Sequence, residues 1–188
     1  MKLVSRRIES PVGRILLAGM VRAGEARLVC ARVIESDEEV RAWAEARGVQ
    51  RAPDDGSLAA AGCAFDDYFA GRLRDFNIPI EPAWGTPFQR AVWDALRKIP
   101  YGKTMTYGSL ARALGFPTGA SRAVGSANGA NPVFIAIPCH RVVREPGGPS
   151  RSEVRSLKRA LGGFAYGLWR KEHLLRLEGA WPVQPALL

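Results

Sequence analysis

The spacing of apolar positions changes character along the chain and predicts a strand-rich beginning followed by a helical remainder. Leu3-Val4 to Ile8, Ile15-Leu16-Leu17-Ala18 and Ala26-Arg27-Leu28-Val29-Cys30 read as strands, separated by a turn at Ser10-Pro11-Val12-Gly13 and a second Gly-containing turn. These predict a small antiparallel sheet. Asp37 to Arg47 places Val40, Trp43 and Ala44 at helical spacing, Gly48 to Gly56 reads as loop, and Ser57 to Leu73 contains a second helix carrying Phe65, Tyr68 and Phe69. Phe76 to Ile80 is a short extended segment. Glu81-Pro82-Ala83-Trp84-Gly85 has linker composition, which sets an expected boundary between residues 1–84 and residues 85–188.

Beyond that boundary, Thr86-Pro87 has the form of an N-cap followed by proline at the first helical position, and Phe88, Val92, Trp93 and Leu96 make one apolar stripe. Pro100-Tyr101-Gly102 ends that segment. Thr106 is placed to cap a helix over Tyr107 to Leu114, Gly115 stops it, and a further helix runs from about Ala120 to Ala127. Two short helices joined by a Gly/Pro turn form a helix-turn-helix pattern. The second helix is built of small residues (Ser121, Ala123, Gly125, Ser126) around one arginine, Arg122, and continues to Asn128. Small residues allow close approach to a nucleic-acid groove while a single long cation enters the duplex, and they equally allow tight helix packing.

A fully apolar run, Val133 to Ile137, predicts a buried strand that stops at Pro138 and delivers Cys139-His140 into the interior. A thiol beside an imidazole suits nucleophilic chemistry if an orienting group and an approach path exist; without them it is an inert buried cysteine. If Leu168 to Glu178 is helical, Leu168, Lys171, Leu174, Leu175 and Glu178 share one face, so a carboxylate falls on a buried stripe where it needs a partner.

Composition is that of a folded, soluble protein, with 47% apolar and 24% charged residues in 188. No apolar stretch approaches a membrane span and the N-terminus lacks a signal-peptide core, so a cytoplasmic location without membrane association is expected. Three cysteines, Cys30, Cys63 and Cys139, at wide spacing signal neither a disulfide framework nor a zinc site. Residues 1–84 carry 12 basic and 13 acidic side chains, residues 85–188 carry 15 and 5, so the net +9 is entirely C-terminal. Charge segregated in this way fits a polyanion partner, nucleic acid ahead of membrane, or a generally solvated basic surface.

Gly85-Thr86-Pro87-Phe88-Gln89, Ile99-Pro100-x-Gly102-x-Thr104-x-x-Tyr107, Arg122-Ala123-Val124-Gly125, Asn131-Pro132 and Ile137-Pro138-Cys139-His140-Arg141-Val142 occur in this order and spacing. With them the chain resembles the O6-alkylguanine-DNA alkyltransferases, especially their bacterial members, closely over about residues 85–143 and 163–179. The resemblance implies an α+β fold: an N-terminal domain of ribonuclease-H-like layout, and a mainly helical, winged-helix-like C-terminal domain. It implies DNA repair by direct reversal, in which an alkyl group passes irreversibly from O6-alkylguanine, and possibly from O4-alkylthymine, to a cysteine, once per protein molecule. The partner is double-stranded DNA, held through the minor groove with the target base flipped out; a monomer with no cofactor is implied.

Carried over by position, Cys139 is the acceptor, His140 its base through a bridging water, and Glu178 the carboxylate that orients the imidazole. Asn131 braces the cysteine turn. Tyr107 crowds the target phosphate and protonates the departing guanine. Arg122 fills the space left by the base, with Ser121, Ala123, Gly125 and Asn128 on the DNA-facing helix. The carbonyls of Cys139 and Val142 match acceptors for the guanine amine, and Pro138, Val142, Phe164 and Ala165 are expected in the pocket wall.

Two features depart from the family pattern. Phe164 stands where a tyrosine is usual, and the segment 144–162 is longer than the usual short turn. Ser152 is placed to cap a basic helix there, with Val154, Leu157 and Leu161 on one face, expected beside the active-site mouth. Zinc, known in some relatives, is not expected, because residues 1–84 contain no histidine. A damage-flagging relative without the acceptor cysteine, a winged-helix regulator and a cysteine hydrolase are the competing functions; each leaves Cys139, the Glu178 carboxylate or the basic half without a task.

Overall fold

A computed structural model describes residues 2–23, 25–145 and 160–181. The chain forms two compact units, Met1–Trp84 with Pro132–Ala136, and Gly85–Asn131 with Ile137–Leu188.

In the first unit, β1 (Lys2–Ile8), β2 (Ile15–Arg22) and β3 (Glu25–Val33) form an antiparallel meander, followed by α1 (Asp37–Glu45), β4 (Arg51–Pro53) and α2 (Ala59–Phe69). The sheet order is β3-β2-β1-β4, with β4 parallel to β1. The expected purely antiparallel sheet is therefore mixed, and the region 48–56 is not all loop. Three residues ending in proline carry no alternation, and proline is tolerated because β4 is an edge strand. One face packs Leu3, Leu16, Ala18, Val29 and Cys30 against Val40, Trp43 and Ala44 of α1. Ser36 starts α1 by accepting the Glu39 N–H, and three acidic residues occupy the first turn, where they complement the helix dipole.

The apolar run after Asn131 is not a strand. Val133 makes only an isolated bridge to Ala31, and Ile135 has φ +71°, a left-handed conformation costly for a β-branched residue. The run is instead a buried turn. Its polar backbone is satisfied by the edge of β3: Ala31 N–H donates to Pro132 O (2.9 Å) and Phe134 N–H donates to Ala31 O (3.1 Å). Apolarity reports burial, and over five residues it does not separate strand from turn.

The second unit contains α3 (Pro87–Leu96), β5 (Met105–Thr106), α4 (Tyr107–Ala113), α5 (Ser121–Gly129), β6 (Val142–Val143) and α6 (Leu168–Leu177). Thr86 and Gln89 form a reciprocal capping box: Gln89 N–H donates to the Thr86 hydroxyl (3.2 Å) and Thr86 N–H to Gln89 Oε1 (2.9 Å). Helix α5 packs against α3 and α4, and Trp93 Nε1 donates to the Ala127 carbonyl at 2.9 Å. β5 pairs in parallel with β6, Met105 opposite Val142. Among the described residues no helix is long and apolar enough to cross a membrane.

Candidate active site

The cysteine sits on a short 3-10 turn, Cys139–Arg141, between the buried turn and β6. Asn131 fixes the approach: its Nδ2 donates to the Ile137 carbonyl at 2.7 Å, across six residues. The turn closes on itself, with Cys139 N–H on Ile137 O (2.8 Å) and Arg141 N–H on Pro138 O (3.0 Å). Asn128, on α5, donates from Nδ2 to the Cys139 carbonyl at 3.3 Å. Cys139 is thus held from both sides, by the residue before the turn and by the helix that carries Arg122.

His140 and Glu178 are fully buried neighbours, Nε2 to Oε1 2.8 Å. Glu178 is the C-cap of α6, on the face that buries Lys171, Leu174 and Leu175; Leu168, expected on that face, is exposed. A second partner completes the carboxylate. Arg141 donates from Nε to Oε2 (2.8 Å) and from Nη2 to Oε1 (3.0 Å), while its Nη1 bonds the Ile99 carbonyl (2.6 Å). Gly102 N–H adds a contact to Oε2 at 3.3 Å. With Nε2 directed at the carboxylate, His140 Nδ1 is buried without a protein partner among the described residues.

Burial dominates the electrostatics. It pushes the Cys139 thiol up, opposed by the hydrogen bond from Asn131, the charge of Lys171 and the backbone N–H groups of the turn. It pushes His140 down, against the pull of Glu178, so the imidazole is neutral near pH 7 and donates to the carboxylate as N–H. Burial alone would raise Glu178, but the hydrogen bonds from His140 and Arg141 and the guanidinium charge override it and hold the carboxyl at about 2. Lys171 is buried and lowered by desolvation to about 8. Its ammonium donates to the carbonyls of Val142 and Leu161, both at 2.5 Å, with Gly163 at 3.4 Å.

A cavity of about 190 Å³ opens on Cys139, walled by Tyr107, Asn128, Asn131, Phe164, Ala165 and Tyr166. Of the residues expected in the pocket wall, Phe164 and Ala165 line this cavity, while Pro138 and Val142 are buried in the chain that carries the cysteine. Asn128, expected on the DNA-facing helix, is 4% exposed and bonds the Cys139 carbonyl. Its place on α5 falls one turn after Val124, on the inward face, which the run of small residues conceals.

A wider groove of about 590 Å³ adjoins this cavity through the shared Tyr107, Gly125 and Gly163. Arg122 and Ser121 line it, and Arg122 and Ala123 are exposed. The Tyr107 ring stands between two glycines: a Cβ on Gly125 would lie 3.6 Å from it and one on Gly162 3.1 Å. Burial, then the proximity of Cys139, raise the Tyr107 phenol, which keeps it protonated at neutral pH. The proposed basic helix after Ser152, with Val154 and Leu157, lies outside the described residues; Leu161 is described and buried.

The sequence alone assigns no task to Arg141 or Lys171. The signal was present for Lys171, which shares the apolar face with Glu178, and a buried charge there requires partners as Glu178 does. No comparable signal marks Arg141, whose neighbours in sequence are all apolar or polar without period. Among the described residues there is no group of three or more His, Cys, Asp or Glu side chains placed to hold a metal ion.

The chain is similar to known proteins over most of its length. The family model described as 6-O-methylguanine DNA methyltransferase, DNA binding domain, covers residues 87–180, and its ribonuclease-like domain covers residues 3–82. The methylated-DNA–protein-cysteine methyltransferase of Methanosarcina acetivorans is 39% identical over 92% of this chain and 96% of its own. That of Mycobacterium leprae is 39% identical over 92% and 90%. The crystal structure of Mycobacterium tuberculosis O6-methylguanine methyltransferase superposes with TM-score 0.74 at 37% identity, covering 98% of this chain and 96% of that one. The crystal structure of Mycobacterium tuberculosis OGT in complex with DNA superposes with TM-score 0.73 at 37% identity, covering 94% of this chain and 93% of that one. An α+β chain with these two domains and a cysteine on a braced turn above a buried His-Glu pair belongs to the 6-O-methylguanine DNA methyltransferase family.

Proposed function

We propose that this protein repairs O6-alkylguanine in duplex DNA by moving the alkyl group to Cys139, once per molecule. The observation that carries the reading is the buried relay: a thiol facing a cavity, beside a neutral imidazole whose Nε2 is committed to Glu178 and whose Nδ1 is uncommitted.

The thiol is protonated at rest because burial raises it. Its proton passes to Nδ1 of His140, and the imidazolium so formed is stabilised by the Glu178 carboxylate, which stays ionised far below neutral pH. The Cys139 sulfur then attacks the alkyl carbon, a C–S bond forms, the C–O6 bond breaks, and its electron pair leaves with guanine. Tyr107, protonated and against the cavity, supplies the proton that neutralises the departing base. The product is a thioether, whose C–S bond is stable in water, which accounts for a single turnover.

DNA engages the wide groove through α5, with Arg122 entering the duplex at the minor groove as the target base moves into the Cys139 cavity. Ser121, Ala123 and Gly125 permit that approach. In this reading residues 85–188 carry recognition and chemistry, residues 1–84 support them, and the protein acts as a cytoplasmic monomer. Digestion of a duplex containing one O6-methylguanine, after incubation with the protein, tests the reaction. O6-methylguanine is expected to disappear mole for mole with protein and to persist with Cys139→Ala; continued turnover, or no loss of O6-methylguanine with the native protein, overturns it.

A further inference from the structure

The wide groove is lined by three arginines, Arg112, Arg122 and Arg144, and by Glu145, the one acidic side chain among its described lining residues. The carboxylate is not free to swing away. The Thr106 hydroxyl donates to Glu145 Oε1, the Ser109 hydroxyl lies 3.1 Å from the Thr106 hydroxyl, and Arg112 Nη2 donates to the Ser109 hydroxyl at 3.0 Å. A line of hydrogen bonds therefore fixes a negative charge on a surface that is otherwise positive.

We propose that Glu145 is a built-in counter-charge that weakens the sequence-independent attraction of the groove for DNA phosphates. The inference rests on the groove being the DNA-facing surface. Phosphate contacts supply most of the affinity for undamaged duplex, and an anion fixed among the arginines lowers it by repelling the backbone and by lowering the local potential. The chain is then held less tightly where there is nothing to repair, at the expense of one hydrogen-bonded carboxylate.

The test is the affinity of the native protein, Glu145→Gln and Arg122→Ala for an undamaged duplex, by fluorescence anisotropy at low and at high salt. Gln keeps an acceptor for Thr106, so the start of α4 is preserved, and the melting temperature should match the native value. Glu145→Gln is expected to bind about two- to fivefold tighter at low salt, the range of one exposed charge interaction, with the gain shrinking as salt rises. Unchanged or weaker binding by Glu145→Gln, with Arg122→Ala weakened, overturns the inference and leaves the groove assignment standing. If neither variant differs from the native protein, the groove itself is not the DNA-facing surface and both fail.

Discussion

Arg141 and Glu178 form a bidentate pair with both side chains buried, and the carboxylate oxygen at 3.0 Å from Arg141 Nη2 is the same one that holds His140 Nε2 at 2.8 Å. The permanent counter-charge of Glu178 is thus the guanidinium, and the imidazole is left neutral, able to accept a proton. An ion pair with His140 alone would have committed the base to its charged form.

The pair makes stability pH-dependent. The folded Glu178 carboxyl is held at about 2, below its ordinary 4.5, so its contribution is fully present above 4.5 and is lost as pH falls toward 2. A shift of this size corresponds to about 3 kcal/mol. Chemical denaturation of the native protein and Glu178→Gln should show a gap at pH 6 to 7 that closes between about pH 4.5 and 2. A gap independent of pH would mean that the variant only disturbs packing.

Lys171 carries the opposite sign. Its folded value of about 8 lies below 10.5, so the unfolded chain binds more protons between those limits, and the penalty for burying the charge is relieved as pH rises through that window. Against Lys171→Met, the native protein should therefore gain stability from pH 8 to 10. At pH 7 the same variant removes the cation that lowers the Cys139 thiol, and transfer should slow about tenfold for each unit by which the thiol rises.

Gly102 is fixed by two constraints. It adopts φ +72°, and a Cβ would stand 2.9 Å from the backbone carbonyl of Glu178. Gly102→Ala should cost about 1–3 kcal/mol in melting experiments and slow transfer by displacing the carboxylate. Gly115→Ala, with φ +78° but nothing within 4 Å of the added Cβ, should destabilise without that loss of rate.

Asn131→Ala removes the hydrogen bond to Ile137 O and the one that favours the Cys139 thiolate. Titration of Cys139 with a thiol reagent should shift to higher pH, and transfer should fall by a larger factor than stability alone explains. Equal reagent profiles for native and variant would remove Asn131 from the account.

What the sequence made legible is what local chemistry determines. The Thr86 and Pro87 start, the helices on either side of the Gly115 turn, and a carboxylate on the inner face of α6 follow from caps, breakers and the 3.6-residue period. What the local pattern leaves open has a different cause. β4 exists because β1 offers it an edge, and the Val133 to Ile137 run turns because the edge of β3 satisfies Pro132 and Phe134. Asn128 faces inward because the Cys139 carbonyl needs a donor. Each is decided by a partner distant in sequence, which neither composition nor period reports.

Every step of the proposed reaction depends on Cys139 accepting the alkyl group. Intact and peptide mass spectrometry after incubation with duplex DNA containing O6-methylguanine tests it most directly. One methyl per protein is expected, confined to the Cys139 peptide and absent in Cys139→Ala. Tight binding to the lesion with no gain of mass, or a methyl on another residue, would contradict it.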